Sequence, residues 1–344
     1  MAGNTLSAQQ RAALFSASTR QHFQMIGQAD ATTSQVAEFR VPKARILQGV
    51  RLFVEVDLNA TTAGEFKDRW AAYDVLRRIS VDLNNGFAPI VVSGREMAYV
   101  NMLYPMAEMV VGAEDSHTLC KLPATIAEGS NKMEFMLDIP LTLNYRDTSG
   151  LILAQNAETT ISVNCDIANA TVYGAGATYN SVKITAQATT FSVPAKSEWF
   201  PDLSILKVVD SRNENFTSGN AYVKLPTGFI YRKLILVFED ENGNPMTPEQ
   251  ITSNLELVLN TADIPYSISP KMLRALNKMQ NGVEMPEGVY FWSFDWQGMC
   301  GYGGSRDFVD AERVSELSVR FNAACGGKIT IISEKISRLV AKAE

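Results

Sequence analysis

After about residue 35, apolar and polar residues alternate along most of the chain with a period of two. The alternation has no exception in residues 160–167, and residues 51–58 and 132–139 follow the same pattern. This period is typical of antiparallel strands with one buried and one wet face. Cys165 belongs to the apolar set and is predicted to point inward. Further strands are predicted near residues 203–209, 229–238, 254–260, 288–296, 314–321 and 328–332.

One long helical pattern precedes these strands. Ser7 can cap a helix, the following residues are rich in Ala, Gln and Arg, and Gly27 can end it. Phe15, Phe23 and Ile26 fall on one stripe of that helix. An amphipathic N-terminal helix is therefore predicted from Ser7 to Gly27.

Three shorter helices are predicted within the strand-rich part. The first covers about residues 65–78, and the second begins at Thr247, where a proline and a capping-box glutamine follow. The third begins at Ser269-Pro270. Its apolar side chains are predicted to pack in the core: Met272, Leu273, Leu276 and Met279.

Three segments recur in the same order at an offset of about 155 residues. A repeat this long indicates a duplicated domain, here the same β-sandwich twice, with a boundary in the proline-containing stretch Pro194–Pro201. The matched segments are residues 77–83 with 232–238, 128–138 with 287–295, and 160–166 with 314–320.

Composition narrows the function. The 344 residues carry 31 Lys and Arg against 37 Asp and Glu, a net charge of -6, so no large basic field attracts nucleic acid. No apolar run reaches the length of a transmembrane helix, and no secretory signal opens the sequence. The four cysteines are far apart, which favours free, reduced thiols over a structural zinc site.

Candidate catalytic chemistry is sparse. With only two histidines, His22 and His117, we expect no catalytic triad, no metal and no cofactor. The glycines after Gly298 lead into another strand rather than a helix, which favours a loop over a phosphate site. Glycosidase carboxylates would have to come from strand residues such as Glu134, Asp138 and Asp295.

An aromatic row remains as the feature that could bind sugars. Tyr290, Trp292, Phe294 and Trp296 occupy one face of a predicted strand. Core filling is the favoured interpretation, because aromatic side chains bury the most apolar area. A tandem carbohydrate-binding or glycan-processing protein stays the alternative function, and a penton or spike protein with a single sandwich is a further one.

Three further stretches are informative: Ser7–Leu14, Pro123–Gly129 and Pro286–Tyr290. They resemble segments of the major capsid proteins of tectivirus-like, internal-membrane icosahedral phages. Ser7–Leu14 is similar to the AQQ-x-A-rich helix that opens those proteins, and Pro123–Gly129 is similar to their PATIA-x-G hairpin. Pro286-Glu287-Gly288-Val289-Tyr290 resembles the strand opening of their second barrel. The order of elements agrees over most of the chain.

The resemblance implies an all-β fold of two tandem eight-stranded jelly rolls, a double jelly roll, with short inserted helices. Its expected segments are residues 1–34 as an arm, 35–196 and 197–334 as the two jelly rolls, and 335–344 as a tail. It further implies a homotrimeric, pseudo-hexagonal capsomer in an icosahedral shell around a membrane vesicle and a double-stranded DNA genome.

The expected partners are other copies of the chain, penton and minor capsid proteins, and the inner viral membrane. No sequence-specific nucleic acid binding and no enzyme activity are expected. The protein would reside in the virion after assembly in the host cytoplasm. The residues predicted to face a neighbouring capsomer or the membrane lie on the N-terminal helix: Arg11, Phe15, Arg20, Phe23 and Ile26.

Overall fold

The computed structural model describes residues 6–31, 35–65, 70–84, 86–103, 125–144, 147–155, 158–282, 284–294 and 308–338. Strands make up most of the described chain. In chain order they are β1 Gln21–Ala31, β2 Val36–Arg40, β3 Ile46–Ala60, β4 Gly64–Glu65, β5 Leu76–Leu83, β6 Phe87–Val92, β7 Thr125–Ile126, β8 Gly129–Pro140, β9 Ile152–Leu153, β10 Ile161–Ile167, β11 Thr178–Phe191, β12 Ile205–Phe216, β13 Gly219–Leu225, β14 Ile230–Asp240, β15 Leu255–Leu259, β16 Asp263–Ile268, β17 Val289–Ser293, β18 Val309–Asp310, β19 Leu317–Ala323 and β20 Gly327–Arg338.

Helices are short and lie between strands. The three α-helices in the described ranges are α1 Ala8–Ser18, α2 Gly94–Asn101 and α3 Pro270–Asn281. Single 3₁₀ turns occupy Ala71–Val75, Ala170–Tyr173 and Ser197–Trp199.

The chain divides into two compact units. Unit 1 comprises Met1–Lys207 with Arg338–Glu344, and unit 2 comprises Val208–Ser337. The sequence places the boundary earlier, at residues 196/197. Phe200 and Leu203 explain the difference, because they pack on a small apolar cluster of unit 1 that contains Ile46.

Each unit contains two antiparallel sheets with four main strands each, and the short strands β9 and β18 pair in addition with β3 and β14. In unit 1 their strand orders are β1-β11-β3-β8 and β2-β10-β5-β6. In unit 2 the orders are β12-β20-β14-β17 and β13-β19-β15-β16. When the eight main strands of each unit are counted in chain order, both units have sheets 1-8-3-6 and 2-7-4-5. This is the jelly-roll arrangement, present twice.

The alternation of the sequence places the core. On β3 the side chains of Leu52, Val54, Val56 and Leu58 are buried, and on β10 Cys165 points inward at 0% exposure, as predicted. In unit 2 aromatic rings fill the space between the sheets, with Phe238 and Phe321 in edge-to-face contact at 5.0 Å. Burial of one face of each strand is what a period of two requires.

The predicted helix from Ser7 to Gly27 is wrong in its second half. The Thr19 N–H and the hydroxyls of Ser18 and Thr19 all donate to the Phe15 carbonyl, which ends α1. From Gln21 onward the chain is β1, paired antiparallel with β11. Long-range strand pairing therefore overrides the local helical pattern, and the predicted arm is part of the first jelly roll.

Two of the three shorter helix predictions also fail. In residues 65–78 the described part is a 3₁₀ turn that leads into β5, and residues 66–69 lie outside the described ranges. At Thr247 the capping contact with Gln250 forms, but only a turn follows. The Thr252 N–H donates to the Asn322 carbonyl on β19, the strand with which β15 then pairs. The helix at Ser269 is confirmed as α3.

Topology corrects one match of the repeat. β8 and β17 are both the sixth strand of their units, and β10 and β19 are both the seventh, so two matches are confirmed. Residues 77–83 form the fourth strand of unit 1, whereas residues 232–238 lie in the third strand of unit 2. That match reflects a shared basic-then-apolar pattern and not an equivalent position.

Candidate assembly surfaces

The five residues predicted for assembly do not form one surface. Phe15 is 2% exposed and packs against the Phe191 ring at 5.5 Å, so it contributes to the core of unit 1. Arg11 lies half-buried on α1, Arg20 lies in the connection before β1, and Phe23 is 55% exposed on β1. Ile26 is half-buried at a β-bulge of that strand.

A buried asparagine holds the edge of the sheet in unit 1. The Asn101 side-chain amide at the end of α2 donates to the Asp138 carbonyl at 2.7 Å. The Asp138 N–H donates back to the Asn101 side-chain oxygen at 2.9 Å. Among the described strands β8 is the edge of its sheet, and this pair of bonds occupies backbone groups that another strand could otherwise bind.

Unit 2 has the same arrangement, an asparagine side chain bonded to the backbone of an edge strand. The Asn277 amide on α3 donates to the Phe291 carbonyl, and the Phe291 N–H donates to Asn277, both at 2.8 Å. β17 is the edge strand that corresponds to β8. We call these two arrangements the asparagine clamps. No local sequence pattern marks them, although the capping box at Ser93 and Glu96 could have revealed α2.

The opposite edge of the first sheet is different. β1 pairs with β11 on one side and, within the described ranges, with no strand on the other. Phe23 and Met25 on this strand are 55% and 59% exposed. One edge of the sheet is therefore held by a clamp, whereas the other edge presents apolar side chains to solvent.

The three described residues of the aromatic row are buried and do not form a sugar-binding surface. Tyr290, Trp292 and Phe294 are at most 5% exposed and belong to the core of unit 2. Trp296 lies outside the described residues. Core filling, the favoured interpretation of these three rings, is confirmed. The carbohydrate alternative thereby loses three of the four residues that suggested it.

The candidate carboxylates are engaged in ion pairs or pack in the sheet. Asp138 is 4% exposed with Arg51 3.5 Å from its carboxylate. Glu134 lies opposite Glu55 in the β3–β8 register, and the Lys183 amine is 3.4 Å from the Glu55 carboxylate. Asp295 lies outside the described residues. This ion-pairing accounts for the charge of Asp138 and Glu55 without a catalytic role.

Cysteine and metal chemistry find no support in the described ranges. Burial, with a smaller contribution from Asp166, raises the pKa of the Cys165 thiol to about 12, which keeps it protonated and unreactive. Cys325 is also a free thiol, and Cys120 and Cys300 lie outside the described residues. Among the residues described, no three His, Cys, Asp or Glu side chains gather as metal ligands.

An apolar cavity of about 510 Å³ lies in unit 1 beside the turn between β5 and β6. Leu83, Phe87, Leu151 and Leu206 line it, with Asn84 and Thr159 among its polar residues. Among the described residues, no ionisable side chain lines this cavity. No helix in the described ranges has the length and apolar character needed to span a membrane.

Two charge pairs with buried members lie in the sheet of unit 2. Arg232 and Glu334 are at most 3% exposed and their side chains approach to 3.0 Å. The Lys335 amine lies 2.6 Å from Asp210 and 4.6 Å from the centre of the Phe229 ring. Buried charges of this kind require partners to offset desolvation, which explains their pairing as a property of the fold.

The strand orders identify the fold as a double jelly roll, and the comparisons with known proteins agree. The chain is similar to the crystal structure of the STIV MCP, with 12% identity, a TM-score of 0.70 and coverage of 93% of this chain and 97% of that one. A quasi-atomic capsid of the PBCV-1 virus matches with 9% identity, a TM-score of 0.65 and coverage of 92% and 94%. The major capsid protein P2 of bacteriophage PM2 matches with 11% identity, a TM-score of 0.59 and coverage of 94% and 100%.

These likenesses extend over both jelly rolls and concern the fold. The sequence itself matches no protein-family model, and no curated protein matches it.

Proposed function

We propose that this chain is a viral major capsid protein that builds an icosahedral shell, and that its role is structural rather than catalytic. The carrying observation is the duplicated jelly roll, with identical strand orders in both units. Solved capsid proteins share this fold over more than nine-tenths of both chains. The asparagine clamps, present in both units, add support because they occupy the same edge of each roll.

The duplication of the jelly roll explains why three copies of the chain would suffice for a hexagonal capsomer. Three copies of a two-roll chain supply six similar rolls around one axis, which approximates six-fold symmetry. Such a homotrimer packs into a hexagonal lattice. A single jelly roll would require six chains for the same outline, which disfavours the penton or spike alternative.

The finer features of the proposal follow the sequence resemblance. The shell would enclose a membrane vesicle and a double-stranded DNA genome, with penton and minor capsid proteins at its other positions. The protein would assemble in the host cytoplasm and remain in the virion. Its net charge of -6 fits a shell wall without sequence-specific nucleic acid binding.

Light scattering on a size-exclusion column tests the trimer. A homotrimer has about three times the 37.8 kDa of one chain, and stable interfaces of roughly 2,000–5,000 Å² should survive dilution to micromolar concentration. Negative-stain microscopy of the same fractions should show hexagonal particles. A monomer at micromolar concentration, or particles of five-fold outline, would contradict the proposal.

A further inference from the structure

The first strands of the two rolls, β1 and β12, differ in burial. No residue of β1 is buried from Gln21 to Asp30, whereas β12 has four consecutive buried residues, Leu206–Val209. β12 begins in unit 1, to which Ile205–Lys207 belong, and it lies between β20 and β6 in the strand order. In the described ranges β1 is hydrogen-bonded to β11 alone. The difference in burial agrees with the second neighbour that β12 has and β1 lacks.

The fifth strands, β6 and β16, are equivalent in their local pattern. Each has six residues with a proline at the third position, Pro89 or Pro265. Each pairs with the fourth strand through one register irregularity, and each precedes the serine that caps a clamp helix, Ser93 or Ser269. Pro89 is buried on β6, which has β12 as a second neighbour. Pro265 is exposed on β16, which among the described strands is bonded to β15 alone.

Among the main strands described, only the first and the fifth differ between the units in this way. The second strands, β2 and β13, have one such neighbour in both units, and so have the sixth strands, β8 and β17. The pairing of β6 with β12 joins a fifth strand to a first strand. The chain therefore retains one first strand, β1, and one fifth strand, β16, with open edges. These are the two edges that a second contact of the same kind requires.

We propose that β1 of one copy of this chain pairs with β16 of the next copy. The contact then joins a fifth strand to a first strand between chains, as β6 joins β12 within one chain. Contacts between two different surfaces form a ring when the rotation closes. Three such contacts join the six rolls of the proposed trimer, with the same pair of strands at every step. The inference rests on the proposed function, because it names the strands at the seams of that trimer.

The sequences of the two edges suit this pairing. Sheet edges are normally protected by lysine, proline, a bulge or a covering element. Gln21–Met25 contains no proline, no lysine and no acidic residue, and the β-bulge of β1 follows only between Met25 and Gly27. This stretch is about as long as β16, so the pairing does not have to cross the bulge. The proline of β16 is no obstacle, because β6 has the same proline and pairs with β12. The contact would cover the exposed side chains of Phe23 and Ile264.

A lysine at either edge should dissociate the trimer. Phe23→Lys changes β1 and Ile264→Lys changes β16, and lysines at sheet edges oppose strand pairing. Each variant places the charge at all three seams. If one seam weakens about tenfold, the dissociation constant of the trimer rises about a thousandfold, which sedimentation velocity of the full-length chain measures. Tyr222→Lys is the matched control, because Tyr222 is 65% exposed on β13, an edge strand of unit 2. It should remain trimeric, and circular dichroism verifies that all three variants fold.

Cross-linking of an intact trimer tests which strands meet. The full-length chain carries Phe23→Cys together with Ile264→Cys, and a short thiol-reactive cross-linker is added. Strands in a sheet lie about 4.8 Å apart and rise about 3.3 Å per residue, so a register offset of up to about three residues keeps the two Cα atoms within about 11 Å. Denaturing electrophoresis should show covalent dimers and trimers and no larger species. The wild type and the two single cysteine variants are the controls and should remain monomeric on the gel.

The outcomes separate this inference from the proposed function. The inference fails if either lysine variant stays trimeric like the control, because both edges are needed at every seam. It fails equally if the double cysteine variant gives no covalent dimer or trimer, or if Phe23→Cys alone is cross-linked, which would mean that β1 meets a second β1. In each of these cases hexagonal trimers of the wild type would still support the proposed function. If the wild type itself is monomeric, the proposed function fails.

Discussion

The helices α2 and α3 occupy the same place in the two jelly rolls, and they hold the same clamp in different ways. Most of α2 is buried, and Tyr99 on it packs edge-to-face against the Trp70 ring at 5.8 Å. On α3 only Pro270, Leu273 and Asn277 are buried.

The exposed side of α3 corrects one prediction. Met272 and Met279 are 59% and 74% exposed, so the prediction that both pack in the core is wrong. Leu273 is buried as predicted. The two equivalent helices share one contact, the bond from an asparagine side chain to the edge strand. The apolar side chains that pack around this contact differ between the units.

The largest expected difference between the two helices concerns their apolar side chains. Tyr99→Ala should lower the free energy of unfolding by about 3–5 kcal/mol, because it leaves a cavity under Trp70. Met279→Ala should change it by less than about 0.5 kcal/mol, since that side chain is mostly in water. Urea denaturation monitored by circular dichroism measures both. Equal losses would show that the two helices are packed alike in solution.

The clamps should be similar in strength despite their different surroundings. Asn101→Leu and Asn277→Leu each leave a buried N–H and a buried carbonyl without a partner. Each should destabilise its unit by about 2–4 kcal/mol. Thermal unfolding should show this as a drop in midpoint of several degrees. Asn180→Leu, at an exposed position on β11, is the control and should have little effect. A clear loss in only one unit would mean that the second clamp is dispensable.

The smallest expected effect concerns the ion pairs beside each helix. The Glu284 carboxylate lies 3.2 Å from the Lys278 amine and 3.8 Å from the Arg274 guanidinium. Lys278 and Arg274 are on α3, and Glu284 follows it in the chain. Glu284→Gln should cost less than about 1 kcal/mol, because exposed pairs are screened by water and salt. Asp74→Asn should lower the free energy of unfolding by more, because the Arg95 guanidinium on α2 donates two hydrogen bonds to the Asp74 carboxylate at a part-buried site. A larger loss for Glu284→Gln would reverse this ranking.

The strands were predictable because their signal is local. Residues 51–58, 132–139 and 160–167 alternate, and each lies in a strand with the predicted face inward. The all-β sandwich class followed from the repetition of such strands, whereas the double jelly roll was implied by the family resemblance. The turn of the chain into β1 was not predictable from the same signal, because the helical pattern continues to Gly27 and the segment becomes a strand only through β11.

The candidate surfaces were harder to predict than the fold. Phe15 and Phe23 were both predicted to face a neighbouring capsomer or the membrane, because one stripe of a helix treats both alike. The structure buries Phe15 and exposes Phe23. An open edge depends on which strand has a neighbour on only one side, and this is a property of topology. The asparagine clamps likewise join residues 37 positions apart in unit 1 and 14 apart in unit 2, so no common spacing marks them.

The pairing of β1 with β11 also determines the order in which the first roll can form. Arg20 bonds to Ser192, 172 positions later, so β1 is synthesised long before β11, the last strand of its roll, and must wait for it. At typical rates of synthesis this takes about 10–30 s. During that interval both edges of β1 are unpaired. Closure of this roll on a growing chain is therefore a late step. Its timing depends on when the ribosome completes β11, and not on how fast neighbouring residues collapse.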